Sequence, residues 1–392
     1  MSGPASEGKP KRSAMVWILP LIAGILLLFG LRMAVSFYLQ YKTSEGAPKL
    51  SDAERVVESL PGVKARRIGQ ILEAETWQKM APRVRVILFV LGLFGILAWA
   101  AAILVYEYFF YFFAQGRRRN RFAPYVWLRW MVLTAAGVGV VCIFYGYFIE
   151  PNWLEVTHLD LHSSKLAPGS RVRIVLISDL HMARTVRLEP RVMKEMAEQK
   201  PDLIVFAGDA MNSSWVLGRF KQFLIEASQI APVFTVKGNQ DEGIAWDPKD
   251  IYRGTNAREL TGQVETLDVR GNKIWIRGMA NLQRYMSLPE NPPPGNEFSI
   301  FVHHTPDEIF EVARDRYDLY LCGHTHGGQV ALPFYGALIT FSKFDKEYEA
   351  GLYRVGPTTM YVNRGIGLAK WPQPEVRFLA RPELTVIDVT AE

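Results

Sequence analysis

The residues best suited to chemistry lie in Tyr320-Leu321-Cys322-Gly323-His324-Thr325-His326-Gly327-Gly328. Leu319 to Cys322 is a short apolar run that reads as a strand, and three glycines mark a loop leaving its end. Glycine tolerates positive φ and lets the backbone approach a ligand closely. Two imidazoles on such a turn either converge on a metal ion or stand as partly exposed loop histidines; histidine is the commonest side-chain metal ligand. Other strand ends favour the first alternative. Arg171 to Asp179 is followed by His181, Leu203 to Asp209 ends in an acid, and Pro232 to Lys237 leads into Gly238-Asn239-Gln240-Asp241. Phe298 to His303 leads into His304. Of seven histidines in the chain, five fall in these clusters, counting His303, a concentration that core histidines do not explain. A mixed carboxylate, imidazole and amide set fits two divalent metals of intermediate hardness, such as Mn, Fe or Zn. An aspartate bridging both ions would complete a two-metal centre.

The elements that must position these residues alternate. Strand patterns at 171–179, 203–209 and 232–237 are separated by helical patterns at Pro190 to Gln199 and Trp215 to Ser228. That order predicts βαβ units and a parallel sheet, with ligands at the carboxyl ends of the strands. After residue 260 shorter strands follow: Val264 to Val269, Lys273 to Met279, Thr358 to Asn363 and Leu384 to Val389. Glu155 to Leu161 also reads as a strand. There His158, Asp160 and His162 share one face, and a solvated face outweighs a second metal site.

The first part of the chain is different. Residues 14–39, 86–113 and 128–149 are dominated by long apolar runs, each able to span a bilayer as a helix of about 20 residues. Trp127, Trp130, Tyr145, Tyr147 and Trp153 flank the third run, as an interfacial belt requires. Residues 1–150 therefore read as an all-α transmembrane anchor with an amphipathic segment at 51–80, and residues 151–392 as a separate domain that carries the clustered strand ends. The amphipathic segment either lies on the membrane or packs on the domain. The basic start and the Arg117-Arg118-Arg119-Asn120-Arg121 cluster place the N-terminus inside. Against this, residues 40–85 carry nine basic residues and six acids. The near absence of cations from Glu150 to Lys165 supports an external C-terminal domain. The formal net charge is +6, but the cations form no stripe with aromatics, which excludes nucleic acid as a partner; no obligate protein partner is evident. Cys142 and Cys322 provide no disulfide framework.

The ordered motifs D-x-H, G-D, G-N-x-D, H-x-P-D and G-H-T-H resemble those of the calcineurin-like metallophosphoesterases, over roughly residues 171–392. GHTHGGQ and ISDLH are most similar to the membrane-associated or exported bacterial branch. The resemblance implies an α/β fold, an α/β/β/α sandwich of two mixed sheets flanked by helices. It implies one metal held by Asp179, His181 and His326, a second held by Asn239, His304 and His324, and Asp209 bridging. The expected reaction is hydrolysis of a phosphoester or pyrophosphate bond by a metal-activated hydroxide, with Asp179, Asp209, Asn239 and His324 as the catalytic set. The expected location is the bacterial inner membrane, multi-pass, with the domain periplasmic or extracellular. The family usually has histidine where this chain has Gln240. Gln240 and His303 are therefore candidate substrate-binding residues, and a leaving group that needs no proton, such as the phosphate of a pyrophosphate, is favoured. UDP-2,3-diacylglucosamine pyrophosphatases of lipid A synthesis, which carry Arg there, are the alternative if the domain is cytoplasmic. A metal-binding pseudoenzyme or membrane binding protein is a further alternative. Apolar stretches at 211–217, 282–288 and 332–341 point to a lipid substrate.

Overall fold

The computed structural model describes residues 95–97, 99–100, 102–103, 126–243, 251–281, 292–369 and 375–392. The runs at 14–39 and 51–80 lie outside the described residues. In the run at 86–113, the described residues 95–97, 99–100 and 102–103 are helical. Two compact units are distinguished, Met1–Ile143 and Phe144–Glu392.

The third apolar run forms a helix. Helix α1 spans Val126–Phe144 and continues as a π-helical turn, Tyr145–Ile149, and a short 3₁₀ turn, Glu150–Asn152. Pro151 has no amide proton to continue the ladder, so helix ends here. Among the described residues, one helix, Leu133–Asn152, is long and apolar enough to cross a membrane. Many large side chains of α1 and its continuation are exposed, including Trp127, Trp130, Val141, Phe144 and Phe148.

Two mixed six-stranded sheets form the second unit. The first runs β1 (Glu155–Ser163), β14 (Glu383–Ala391), β2 (Arg171–Ile177), β3 (Leu203–Phe206), β4 (Val233–Thr235), β5 (Arg258–Glu259). β2 to β5 are parallel, and β14 runs antiparallel to β2. The second runs β12 (Gly351–Val355), β13 (Thr358–Val362), β9 (Leu319–Cys322), β8 (Phe298–Val302), β7 (Asn272–Gly278), β6 (Val264–Val269). Its four central strands are parallel, and both edges are antiparallel.

Alternation decides which way each strand faces. Ile174 and Leu176 of β2 join Ile276, Ile300 and Leu321 of the other sheet in the core between the sheets. Val175 and Ile177 face outward, against α2 (Glu189–Gln199) and α3 (Leu217–Ile230), through Val192, Met196, Phe220 and Leu224. Phe301, Tyr320 and Cys322 of the second sheet face α5 (Ile309–Arg314), with α4 being the short Asn239–Gly243. The layers are therefore helix, sheet, sheet, helix, as the motifs implied. Truncating a central residue such as Ile276 to Ala would cost about 2–5 kcal/mol. The expected strands at 264–269 and 319–322 have those limits. β12 and the small hairpin β10 (Ala331–Leu332) and β11 (Gly336–Ala337) are additional to those expected.

Candidate metal centre

The chain turns sharply where β2, β3, β4, β8 and β9 end. Asp179, His181, Asp209, His324 and His326 all adopt positive φ, between 40° and 71°. Such conformations cost about 1–3 kcal/mol each for residues with a Cβ and persist only where surrounding bonds enforce them. Here the Asp179 amide donates to the Gly208 carbonyl (2.9 Å) and the Gly323 amide to the His304 carbonyl (2.9 Å). Two glycines admit the carboxylates. A Cβ at Gly238 would lie 2.1 Å from Asp209 Oδ1, and one at Gly323 would lie 2.3 Å from Asp179 Oδ2.

The structure brings all seven candidate ligands together. His326 Nε2 stands 3.1 Å from His181 Nε2 and 3.3 Å from Asp179 Oδ1. His304 Nε2 stands 3.1 Å from both Asn239 Oδ1 and His324 Nδ1. Asp209 Oδ2 lies between the groups, 3.5 Å from His181 Nε2 and 3.4 Å from His304 Nε2. Asp179, His181 and His326 form one buried set able to hold an ion; Asp179, Asp209 and His304 form another.

The hydrogen bonds behind the rings test whether cations fit. His304 Nδ1 donates to the Ala207 carbonyl (2.8 Å), which turns Nε2 toward the centre. His324 Nε2 donates to the Phe341 carbonyl (3.3 Å), which leaves its Nδ1 lone pair facing His304. His181 Nδ1 donates to Asn212 Oδ1 (2.9 Å), because the Asn212 amide nitrogen is committed to the Leu368 carbonyl. Asp179 Oδ1 is buried without a hydrogen-bond partner among the described residues. Acceptors converging at such distances repel one another unless positive charge lies among them. Imidazole, carboxylate and amide oxygen suit divalent transition metals. The donor set fits the two ions.

The charges agree. Burial opposes ionisation of Asp179, but His326, His304 and His181 outweigh it and hold the carboxyl well below the usual range. Burial likewise opposes a charge on His304, and Asp209 and Asp179 outweigh it, raising this imidazole to about 10. A proton on His304 thus stands in for metal charge. Burial lowers His181 to about 4 and His303 to about 3.

Several residues that the motifs left without a role hold this arrangement. Asp241, the last residue of G-N-x-D, accepts the backbone amides of Asp209, Ala210 and Gly238. Burial, then the Asp209 carboxylate, raises it to about 7. Asp307 of H-x-P-D accepts Ser342 Oγ (2.7 Å) and the Lys343 amide (2.9 Å), fixing the segment whose Phe341 carbonyl meets His324. Asn212 carries no sequence signal; a β-bridge between Met182 and Met211 brings it to His181. Gln240 is exposed, and its backbone amide donates to Asp209 Oδ1 (2.8 Å). His303 is buried, with Nδ1 3.2 Å from the Thr305 carbonyl. His158, Asp160 and His162 are exposed on β1 and form no ligand cluster among the described residues.

Comparison with known proteins agrees with this geometry. The family model described as the calcineurin-like phosphoesterase superfamily domain matches residues 172–331. The chain is 33% identical over 258 residues to the metallophosphoesterase YkuE of Bacillus subtilis, covering 62% of this chain and 88% of that protein. It is 30% identical over 277 residues to the phosphodiesterase YaeI of Escherichia coli, covering 67% and 98%. It is 24% identical over 312 residues to the UDP-2,3-diacylglucosamine pyrophosphatase LpxG of Chlamydia trachomatis, covering 61% and 90%. The chain belongs to the calcineurin-like phosphoesterase superfamily, whose members use two divalent metals, and is a hydrolase acting on phosphoester bonds.

Proposed function

We infer that this protein is a membrane-anchored phosphoesterase that cleaves a phosphoester or pyrophosphate bond in a lipid substrate. The carrying observation is the place of Asp209 Oδ2 between His181 and His304, at 3.5 and 3.4 Å. In this reading Asp179, His181 and His326 would hold one ion, Asn239, His304 and His324 would hold the other, and Asp209 would serve both. When bound, two divalent ions supply a nucleophile from water near neutral pH and offset charge on the phosphoryl oxygens. The chain's residues fix the geometry: Gln240 N–H holds one Asp209 oxygen, and His324 N–H holds Asp179 Oδ2 (3.0 Å). The exposed Gln240 side chain can hydrogen-bond a phosphoryl oxygen but cannot act as a general acid. Buried His303, at about 3, carries no acidic proton near pH 7. General acid assistance is typically worth about 10²–10⁴ in rate. Its absence suits a phosphate leaving group.

The membrane part of the reading is supported by the helix Leu133–Asn152 and by aromatics on the domain. Trp215 (79% exposed) lies under the Arg184 guanidinium, and Tyr335 lies under Lys346, beside the exposed Phe334 on the hairpin that follows His326. Trp153, at the end of the helix, packs under Arg381. Aromatics paired with cations suit the headgroup level of a bilayer. With the N-terminus inside, the domain lies outside the inner membrane. The similarity to LpxG and the presence of Gln240 favour a second reading, a cytoplasmic enzyme acting on a UDP-diacylglucosamine pyrophosphate.

One experiment separates the two. A Cys placed in the Pro292 to Gly295 loop is labelled by a membrane-impermeant reagent in intact cells if the domain is external. Protection until lysis selects the cytoplasmic reading. The lipid itself is tested with long-chain and short-chain versions of one phospholipid-type substrate in detergent. Equal rates on both, by full-length protein and by residues 144–392 alike, would remove the lipid from the proposal.

A further inference from the structure

Arg377 heads the largest side chains that are fully buried in the described residues, and no carboxylate there lies within ion-pair distance of it. Backbone carbonyls solvate it instead. Nε donates to Gly367 O (3.1 Å), and Nη1 donates to Arg364 O (3.0 Å) and Ala380 O (2.8 Å). Nη2 donates to Gly365 O (3.1 Å) and Gly367 O (2.7 Å) and stands 3.4 Å from His326 Nδ1. A lysine could not reach this set, because only the planar guanidinium fork points donors in so many fixed directions.

Apart from Ala380 O, the carbonyls that it gathers belong to the loop behind Asp179. There the Ile366 amide donates to Ser178 O (3.1 Å) and the Gly367 amide to Asp179 O (2.7 Å). One side chain therefore touches His326 and clamps the loop that backs Asp179, the two ligands assigned to the same ion.

What seats Arg377 comes from before the catalytic fold. Its own amide donates to Gly146 O (2.9 Å). The next two amides with a free donor, Leu379 and Ala380, both donate to the Glu150 carboxylate, which is fully buried. Gly146 and Glu150 are four residues apart and present one face of the last turn of the apolar helix. A Cβ at Gly146 would lie 3.1 Å from Arg377 O, and the Tyr145 ring meets Phe378 edge-on at 6.0 Å.

We propose that Arg377 is a positioning residue of the metal centre and that Gly146 and Glu150 complete its seat. The end of the apolar helix is then part of the catalytic scaffold and not a tether. This rests on the two-metal reading given above. It concerns chiefly the ion assigned to Asp179, His181 and His326, because among the described residues His326 is the one histidine of the centre within hydrogen-bond distance of Arg377.

The test uses full-length protein in detergent. The affinity for each of two Mn²⁺ ions is measured by chelator competition, alongside the melting temperature of the metal-free protein. Glu150→Ala and Arg377→Met are expected to weaken one ion at least tenfold and leave the other within twofold. Glu150→Gln keeps one acceptor oxygen and is expected to fall between wild type and Glu150→Ala, which keeps the question open to test if the harsher variants do not fold. Two ions bound with wild-type affinity by folded variants would overturn the proposal. So would equal weakening of both ions in step with a lowered melting temperature, since that is general loosening. Failure of the wild type to bind two ions would overturn the metal reading instead.

Discussion

Asn212 Oδ1 accepts the Nδ1 proton of His181 at 2.9 Å and so decides which nitrogen of that ring faces the metal centre. Partners of this kind, behind a ligand, typically matter by about 10–100-fold in metal affinity or activity. Asn212→Ala is expected to lower metal affinity within that range, with little change in fold. Asn212→Asp keeps an acceptor and should retain more affinity than Asn212→Ala. Isothermal titration with Mn²⁺ measures both; equal affinity in all three proteins would remove Asn212 from the assembly.

Removing a ligand from either group should be more severe. Asp209→Asn takes negative charge from the point between His181 and His304, and His324→Ala takes an imidazole that the Phe341 carbonyl orients. Each is expected to abolish hydrolysis of an aryl phosphodiester. Far-UV circular dichroism should be unchanged, because the core between the sheets is untouched. Full activity in either variant would refute its role.

His304 makes metal loading depend on pH. In the metal-free protein its value is about 10, above the ordinary 6.5, so the folded chain keeps a proton between those limits that the unfolded chain loses. The stability from this group is complete below pH 6.5 and is lost as pH rises through about 10. Metal binding near pH 8 must therefore displace about one proton from it. His181, at about 4, is already neutral and releases none. Calorimetry in two buffers of different ionisation enthalpy counts that proton, and no buffer dependence would contradict the assignment.

Gln240→His restores the residue usual in the family at an exposed position whose backbone holds Asp209. Turnover of esters with poor leaving groups is expected to rise, toward the lower end of the roughly 10²–10⁴ that general acid assistance supplies. Turnover of activated aryl esters should change little. An identical response of both substrate types would mean that position 240 takes no part in proton transfer.

The sequence by itself determined which polar donors end the strands, and the order of the motifs implied the layers through their family resemblance. Strand patterning is local, so β6 at Val264–Val269 and β9 at Leu319–Cys322 stand where apolar residues predict them. The polar residues that end each strand are legible for the same reason, and the two facing sheets bring their ends together. β12 is an edge strand with Leu352 exposed, which leaves little hydrophobic signal in the sequence. Only the tertiary structure decided which ring nitrogen each histidine turns inward, since the deciding acceptors, Ala207 O, Asn212 Oδ1 and Phe341 O, come from other segments. The positive φ of five ligands was equally invisible, because distant bonds hold those turns against local preference. Arg377 is the extreme case. In sequence it is one of 45 basic residues, and its burial depends on carbonyls 3 to 13 residues away and on Gly146, more than two hundred residues earlier. Desolvating a guanidinium is tolerable only where such partners meet, and chain topology alone brings them to one point.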